Sequence, residues 1–155
     1  MSVVIDANVL LRFSDPTAAQ HPIAVAALSA LRAQGHALRT LPQSIYEFWV
    51  VATRPVANDG LGLSAAECHQ TLAGIQALFP LLPDPPALFA EWRILVVANA
   101  CHGKVAHDAR YVAALRAQGL THLLTFNVAD FARFSSLTIL DPVAVAASSP
   151  PSVAP

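Results

Sequence analysis

Charge is scarce in this sequence. Only 12% of its 155 residues are Asp, Glu, Lys or Arg, and Lys104 is the sole lysine. Nine basic residues against ten acidic ones leave a formal charge of −1. That excludes the strong basic field that drives non-specific binding to a phosphate backbone. Cysteine is nearly absent as well. Cys68 and Cys101 stand far apart and outside any C-x-x-C pattern, so neither a disulfide framework nor a thiolate zinc site is expected. Each precedes a histidine, His69 and His102, but adjacent side chains on a helix diverge by about 100° and do not converge on one ion. Long apolar runs are missing too. Mean hydropathy is +0.51, yet Glu91, Arg93, Asp108 and Arg110 interrupt the richest regions before the ~18 residues of a membrane span accumulate. The first residues, Met1 to Asp6, lack the basic and apolar regions of a signal peptide. A cytoplasmic protein without a membrane segment is expected.

Core material, by contrast, is abundant: 55% of the residues are hydrophobic. A chain of this length suits one domain that buries roughly 70% of its unfolded surface. The pattern alternates strand and helix. Val3-Val4-Ile5 is a β-branched run that stops at Asp6, before the helix-compatible Val9 to Phe13. A helix over 22–34 closes at Gly35, and a short strand over 37–40 ends before Pro42. Ile45, Phe48, Trp49 and Ala52 have helical spacing, which Arg54-Pro55 ends. Ser64 and Glu67 form a capping-box signature for a helix running to about Ala77. A short strand is read over 79–82, helices over 87–100 and 104–118, and strands over 123–125 and 137–140. A turn or short helix lies between those last strands, over 127–134. Residues 1–142 are assigned to the domain. Residues 143–155, almost only Ala, Ser, Pro and Val, are assigned to a disordered tail. Such alternation predicts an open parallel α/β sheet, whose sites form beyond the carboxyl ends of the strands.

With only ten carboxylates, each placement carries information, and four are unusual. Asp6 closes an apolar strand, where the ordinary alternative is a helix N-cap that accepts from free backbone N–H groups. Glu47 is the sole charged residue between Arg39 and Arg54, on a helix apolar on both faces. Enclosing it requires a partner or a metal, and the alternative is an exposed side chain. Asp108 shares a helical stripe with Val105, Ala109 and Val112, so it points toward the interior, near the positive end of the helix dipole. A salt bridge to Arg110 or Arg12 competes with that reading. Asp130 follows the Leu123-Leu124-Thr125 strand in a loop that also offers Thr125 and Asn127 as oxygen donors. N-cap chemistry at Asn127 explains the same pattern.

If the four acids converge, their mutual repulsion raises their pKa values unless a cation neutralises them. Oxygen-only ligands select Mg²⁺ or Mn²⁺. Such ions orient a phosphodiester and activate a water for in-line attack.

These fragments resemble a known family: Val3-Val-Ile-Asp6-Ala-Asn8-Val-Leu-Leu, then Ser44-Ile-Tyr-Glu47-Phe-Trp-Val-Val-Ala-Thr-Arg-Pro, then His107-Asp108-Ala, then Leu-Leu-Thr125-Phe-Asn127-Val-Ala-Asp130-Phe131. In order and spacing they are similar to the PIN-domain ribonucleases, particularly the VapC-type toxins of bacterial toxin–antitoxin pairs, over about residues 3–142. The resemblance implies a three-layer α/β/α fold around a short parallel sheet. It places Asp6, Glu47 and Asp108 as the core ligands of Mg²⁺ (or Mn²⁺), Asp130 as a fourth and more variable acid, and Asn8, Thr125 and Asn127 as supporting polar groups. Many members carry aspartate where Asn127 stands, which implies weaker binding of a second ion here. It further implies an RNA substrate, a homodimer, and a cognate antitoxin lying in an apolar groove near the active site. Arg12, Arg54, Lys104, Arg110 and Arg133 are candidate phosphate contacts, with Arg54 and Lys104 preferred. His107, about 100° away from Asp108, is read as structural.

Two other acidic α/β families fit less well. Haloacid dehalogenase-like phosphatases also begin with a strand ending in aspartate, but they need a second aspartate where Asn8 stands. Receiver domains need paired early acids and a late lysine, which this chain lacks. A non-enzymatic rival is a PIN fold that serves as an RNA- or protein-binding module.

Overall fold

In the computed structural model, residues 1–148 are described. The β-branched start forms strand β1 (Ser2–Ile5), whose last three residues are buried, as expected for a central strand covered on both faces. Helix α1 (Ala7–Ser14) follows at once. Helix α2 (His21–Ala33) opens with Pro22 in its first turn, where the missing N–H costs nothing. Its chain then turns through Gly35, whose φ of +81° suits only glycine comfortably. Strand β2 (Ala37–Arg39) and helix α3 (Pro42–Thr53) come next. Helix α4 (Ala65–Leu78) starts at the expected capping box, with Ser64 and Glu67 bonding each other's backbone amides. The second half comprises α5 (Leu88–Ala98), α6 (Val105–Ala117), β3 (His122–Leu124), α7 (Val128–Phe131), β4 (Thr138–Leu140) and α8 (Pro142–Ala147).

All four strands are parallel, in the order β2-β1-β3-β4. Alternate side chains on each strand feed opposite layers. Val3, Ile5, Leu38 and Leu124 pack with α1, α2, α3 and α4 on one face. Val4 and Leu123 pack with Leu95 of α5, Tyr111 to Leu115 of α6 and Phe131 of α7 on the other. This is a three-layer α/β/α sandwich. The chain leaves β1 toward β2 and returns on the opposite side of β1 as β3, so the topological switch lies between β1 and β3. Open parallel sheets form their crevice at such a point.

Two segments differ from the sequence reading. Residues 79–82 do not form a strand: Leu81 makes one isolated bridge to Thr40, because Pro80 and Pro83 lack the N–H groups that would extend the ladder. The segment assigned to the start of a tail is instead α8, capped by Asp141, whose carboxylate accepts from the Val143 amide. Val145 of α8 packs onto the core beside α2. The rest of the expected tail, 149–155, lies outside the described residues.

Helix α3 supplies a direct test of this layering. Phe48 is fully buried, whereas Tyr46 two residues earlier is exposed. Phe48→Ala is expected to destabilise the protein by about 3–5 kcal/mol through cavity formation, and Tyr46→Ala by no more than about 0.5 kcal/mol. Urea unfolding of the two variants checks this, and similar losses would refute the assigned faces of α3.

Candidate functional site

The β1–β3 and β3–β4 ladders each continue one residue further, past the ends of β1 and β3. The Asp6 amide donates to the Leu124 carbonyl at 3.0 Å, and the Thr125 amide donates to the Leu140 carbonyl at 3.1 Å. Two polar side chains are thereby set side by side at the carboxyl ends of adjacent strands. Asp6 is only 5% exposed. It does not act as an N-cap for α1, since its side chain accepts no cap hydrogen bond. Its Oδ2 instead accepts from Thr125 Oγ1 at 2.6 Å and from Asn8 Nδ2 at 2.8 Å. The Asn8 amide also donates to Thr125 Oγ1, and its Oδ1 accepts from the Phe126 amide. Asn8 and Thr125 thus lie against Asp6 and are bonded to each other.

Helices α3 and α6 bring the other acids to the same place. Asp6, Glu47 and Asp108 all line one cleft of about 540 Å³, together with Asn8, Asn127, Lys104, His107 and Tyr111. Glu47 is half-buried; its Oε1 accepts from Gln43 Nε2 at 2.8 Å and its Oε2 from the Tyr111 hydroxyl at 3.2 Å. Asp108 has neither of the expected arginine partners, because Arg110 turns away to Asp84 at 2.6 Å and Arg12 bonds Gln20. Asp108 makes no side-chain hydrogen bond among the described residues.

Enclosure governs the electrostatics. Burial pushes the Asp6 carboxyl above its ordinary range, against the pull of the Thr125 hydroxyl that donates to it. Glu47 is raised first by burial and further by the charges of Asp6 and Asp108. Asp108 is raised by burial, and then by Asp130 and Asp6, while Lys104 pulls it down. Burial, Asp6 and Glu47 together hold the Tyr111 phenol well above its usual value, so it serves as a donor. Three mutually repelling, partly desolvated carboxylates are thus held in one cleft, each with its ionised form disfavoured.

The fourth acid is placed differently. Asp130 is 44% exposed and pairs with Lys104 at 3.5 Å. It stands near Asp108 at the rim of the cleft, and Asn127, not Asp130, is among the lining residues. The reason is local: α7 is a single turn beginning at Asn127, which leaves Asp130 on the side of Lys104. Of the preferred basic pair, Lys104 lines the acidic cleft, and Arg54 lines an adjoining groove with Tyr46, Val50 and Arg110. His107 is exposed and borders both. Sequence reasoning missed Gln43 and Tyr111. Both carried a signal, as they lie one helical turn from an acid: Gln43 at i−4 from Glu47 and Tyr111 at i+3 from Asp108.

The donor set is oxygen-only, which suits a hard divalent cation. Such an ion would offset the repulsion that disfavours all three carboxylates. No three acidic, histidine or cysteine side chains among the described residues form a preformed ligand set. The fit lies in donor chemistry and placement.

No protein-family model and no curated protein sequence matches the chain. Solved structures do. The chain is similar to FitAcB from Neisseria gonorrhoeae, with 19% identity and a TM-score of 0.64 over 92% of this chain and 98% of that one. VapBC2 from Rickettsia felis, crystallised with a DNA fragment from its promoter, gives 12% identity and a TM-score of 0.66 over 90% and 98%. VapC20 from Mycobacterium tuberculosis, a toxin that cleaves the sarcin–ricin loop, gives 16% and 0.61 over 85% and 95%. The likeness spans nearly the whole length of each, and at these identities it establishes architecture: the chain has the three-layer α/β/α PIN-domain fold of the VapC and FitB toxins.

Proposed function

We propose that this protein is a divalent-metal-dependent endoribonuclease, the toxin of a toxin–antitoxin pair. The observation that carries the reading is the set of three enclosed carboxylates, Asp6, Glu47 and Asp108, lining one cleft where parallel strands end. The PIN fold shared with a toxin that cleaves the sarcin–ricin loop supports it. The residues that would hold the ion are Asp6, Glu47 and Asp108, with Asp130 contributing from the rim. When bound, Mg²⁺ or Mn²⁺ supplies a nucleophilic water at neutral pH and charge compensation on the phosphodiester.

The chain's own groups do the positioning. Asn8 and Thr125 fix the Asp6 carboxylate from one side, which leaves its Oδ1 free of those bonds. Asn127 adds a neutral polar group to the cleft wall. Lys104 and Arg54 are exposed cations on either side of Glu47, suited to successive phosphates of an RNA strand. In the reaction the water oxygen bonds to phosphorus and the P–O3′ bond breaks. The leaving oxygen takes up a proton, so the products are a 5′-phosphate and a 3′-hydroxyl.

The phosphatase alternative loses its basis at Asn8, which donates to Asp6 where that chemistry needs a second acid. A binding module without catalysis leaves the enclosed repulsion unexplained. A cognate antitoxin fits the apolar groove beside the cleft, lined by Tyr46, Val50, Val51 and Arg54. A second copy of the chain fits the outer face of α5, where Phe89, Ile94 and Val97 are exposed. No helix among the described residues is long and apolar enough to cross a membrane, and an RNA-cleaving toxin with these partners belongs in the cytoplasm.

Three outcomes are expected. Asp6→Asn and Asp108→Asn each lower Mg²⁺- or Mn²⁺-dependent cleavage of total RNA by more than about 100-fold, and EDTA abolishes it. Cleavage that survives both substitutions or chelation overturns the mechanism. The second concerns pH. At Asp6, Glu47 and Asp108 the folded state binds more protons than the unfolded chain. The stability these three contribute to the metal-free protein therefore falls as the pH rises from about 4 through their raised values, while Asp15 and Glu67, lowered by bonds from Thr17 and Ser64, act in the opposite direction. At neutral pH, Mn²⁺ is expected to raise the melting temperature, and Asp108→Asn to raise that of the metal-free protein by about 2 °C. A metal-free melting curve indifferent to pH and to Asp108→Asn would contradict the assigned repulsion. The third concerns assembly. Ile94→Asp with Val97→Asp is expected to convert a dimer to a monomer by light scattering, and an unchanged mass excludes α5 as the contact.

A further inference from the structure

Glu47 is the only cleft acid whose two carboxylate oxygens are each held by a donor from a different helix. Gln43, on α3 itself, donates Nε2 to Oε1 at 2.8 Å, and Tyr111, on α6, donates its hydroxyl to Oε2 at 3.2 Å. Both donors are enclosed, Gln43 at 5% and Tyr111 at 1% exposure. Two ways of placing the Gln43 amide are conceivable, and its surroundings decide between them. Arg110 Nη1 approaches Gln43 Oε1 at 3.3 Å. A guanidinium only donates, so the amide oxygen must face Arg110 and the NH₂ must face Glu47. The second amide proton completes the arrangement by donating to the His107 carbonyl at 2.9 Å. Arg110 is itself anchored by Asp84 at 2.6 Å.

A chain of directed hydrogen bonds thus runs from Asp84 through Arg110 and Gln43 to Glu47, where it meets Tyr111. His107 and Tyr111 flank Asp108 on α6. These bonds therefore pin the Glu47 carboxylate of α3 to the helix that carries Asp108. Each oxygen of an ionised carboxylate has about two acceptor sites, so one bond on each leaves a site on each for a cation.

We propose that Gln43 and Tyr111 are positioning residues, a two-donor clamp that sets the Glu47 carboxylate in register with Asp108 as a cation ligand, with Arg110 fixing the direction of the Gln43 amide. The inference rests on the metal-dependent reading above. A glutamate has three side-chain rotors to order on ligation; the clamp orders them beforehand, so ion affinity benefits. Partners of this kind typically contribute 10–100-fold to metal affinity.

The test is Mn²⁺ binding by calorimetry on the untagged protein, alongside thermal melting and RNA cleavage. Tyr111→Phe keeps the ring and removes only the hydroxyl; Gln43→Met keeps the bulk and removes the donor. Each is expected to weaken Mn²⁺ binding by about 10–100-fold, and Arg110→Met by less, because it releases only the amide's direction. In a Glu47→Gln background, Tyr111→Phe is expected to change Mn²⁺ affinity less than about twofold, since the carboxylate it orients is gone. A merely structural tyrosine would lower the melting temperature equally in both backgrounds and leave this difference absent. Wild-type affinity in Tyr111→Phe and Gln43→Met, or equal losses with and without Glu47, overturns the clamp. If one variant does not fold, the other carries the same test. Wild-type protein that binds Mn²⁺ through these residues but leaves RNA intact overturns the ribonuclease reading alone. Failure of the wild type to bind Mn²⁺ overturns both.

Discussion

The pairing of β1 with β3 is the constraint on which the site depends. Parallel register puts Ile5 beside Leu124, so the next residues, Asp6 and Thr125, emerge together at the top of the sheet. Both strands are central and covered by helices on both faces, which leaves their carboxyl ends as the place where the chain can hold a polar group without breaking a layer. The hydroxyl of Thr125 and the amide of Asn8 then occupy one oxygen of Asp6. The buried carboxylate is oriented before any ligand arrives. Helices α3 and α6, drawn in by Phe48 on one layer and Val112 on the other, bring Glu47 and Asp108 to the same point. Packing in the apolar layers therefore sets the spacing of the charges.

Scarcity of charge makes that spacing costly. Arg110 is engaged by Asp84, Arg116 by Glu91 and Lys104 by Asp130, and none of these ion pairs involves Asp6, Glu47 or Asp108. The repulsion is relieved in part by neutral donors: Asn8, Thr125, Gln43 and Tyr111. Neutral hydrogen bonds stabilise an ionised carboxylate less than an opposite charge does, and burial still holds the three carboxyls above their ordinary range. On the proposed reading, a bound divalent cation supplies the compensation that these neutral donors do not.

Much of this was legible in the sequence, for reasons that differ by element. The β-branched run before Asp6, the capping box at Ser64 and the i, i+3, i+4 spacing of α3 are local signals, and they gave the strand and helices within a residue or two. Asp6, Glu47 and Asp108 were legible because a carboxylate in an apolar stretch violates local expectation. Tyr111 and Gln43 violate none: a tyrosine reads as core and a glutamine as surface, so their one-turn spacing from an acid is a weak signal, and Tyr111 meets Glu47 only when α3 meets α6. Helix α8 was hidden by composition. Its run of alanine and valine after Pro142 resembles the tail that follows it, and packing against α2 with the Asp141 cap stabilises the helix. The bridge at Leu81 does not become a strand because of the flanking prolines Pro80 and Pro83, which are visible in the sequence.

The separation of Asp130 from the other three acids has a physical meaning beyond its position. Asp130 is nearly half exposed and paired with Lys104 at the rim of the cleft. Lys104 also acts on Asp108, whose carboxyl it pulls down while Asp130 pushes it up. Lys104 and Asp130 thus act on Asp108 in opposite directions, and Asp6, Glu47 and Asp108 are the cleft acids outside any ion pair. On the proposed reading, one divalent ion reduces those three negative charges to one. The further neutralisation that a phosphodiester needs must then come from outside the trio. Beside Arg54 in the adjoining groove, the groups at the cleft itself are Lys104, released from Asp130 by an approaching phosphate, or a second ion that recruits Asp130. These routes make opposite demands on one ion pair. The first breaks it in favour of the substrate, and the second breaks it in favour of a metal. Asn127, neutral where an acid would strengthen a second ion's hold, tilts the balance in this chain toward the first.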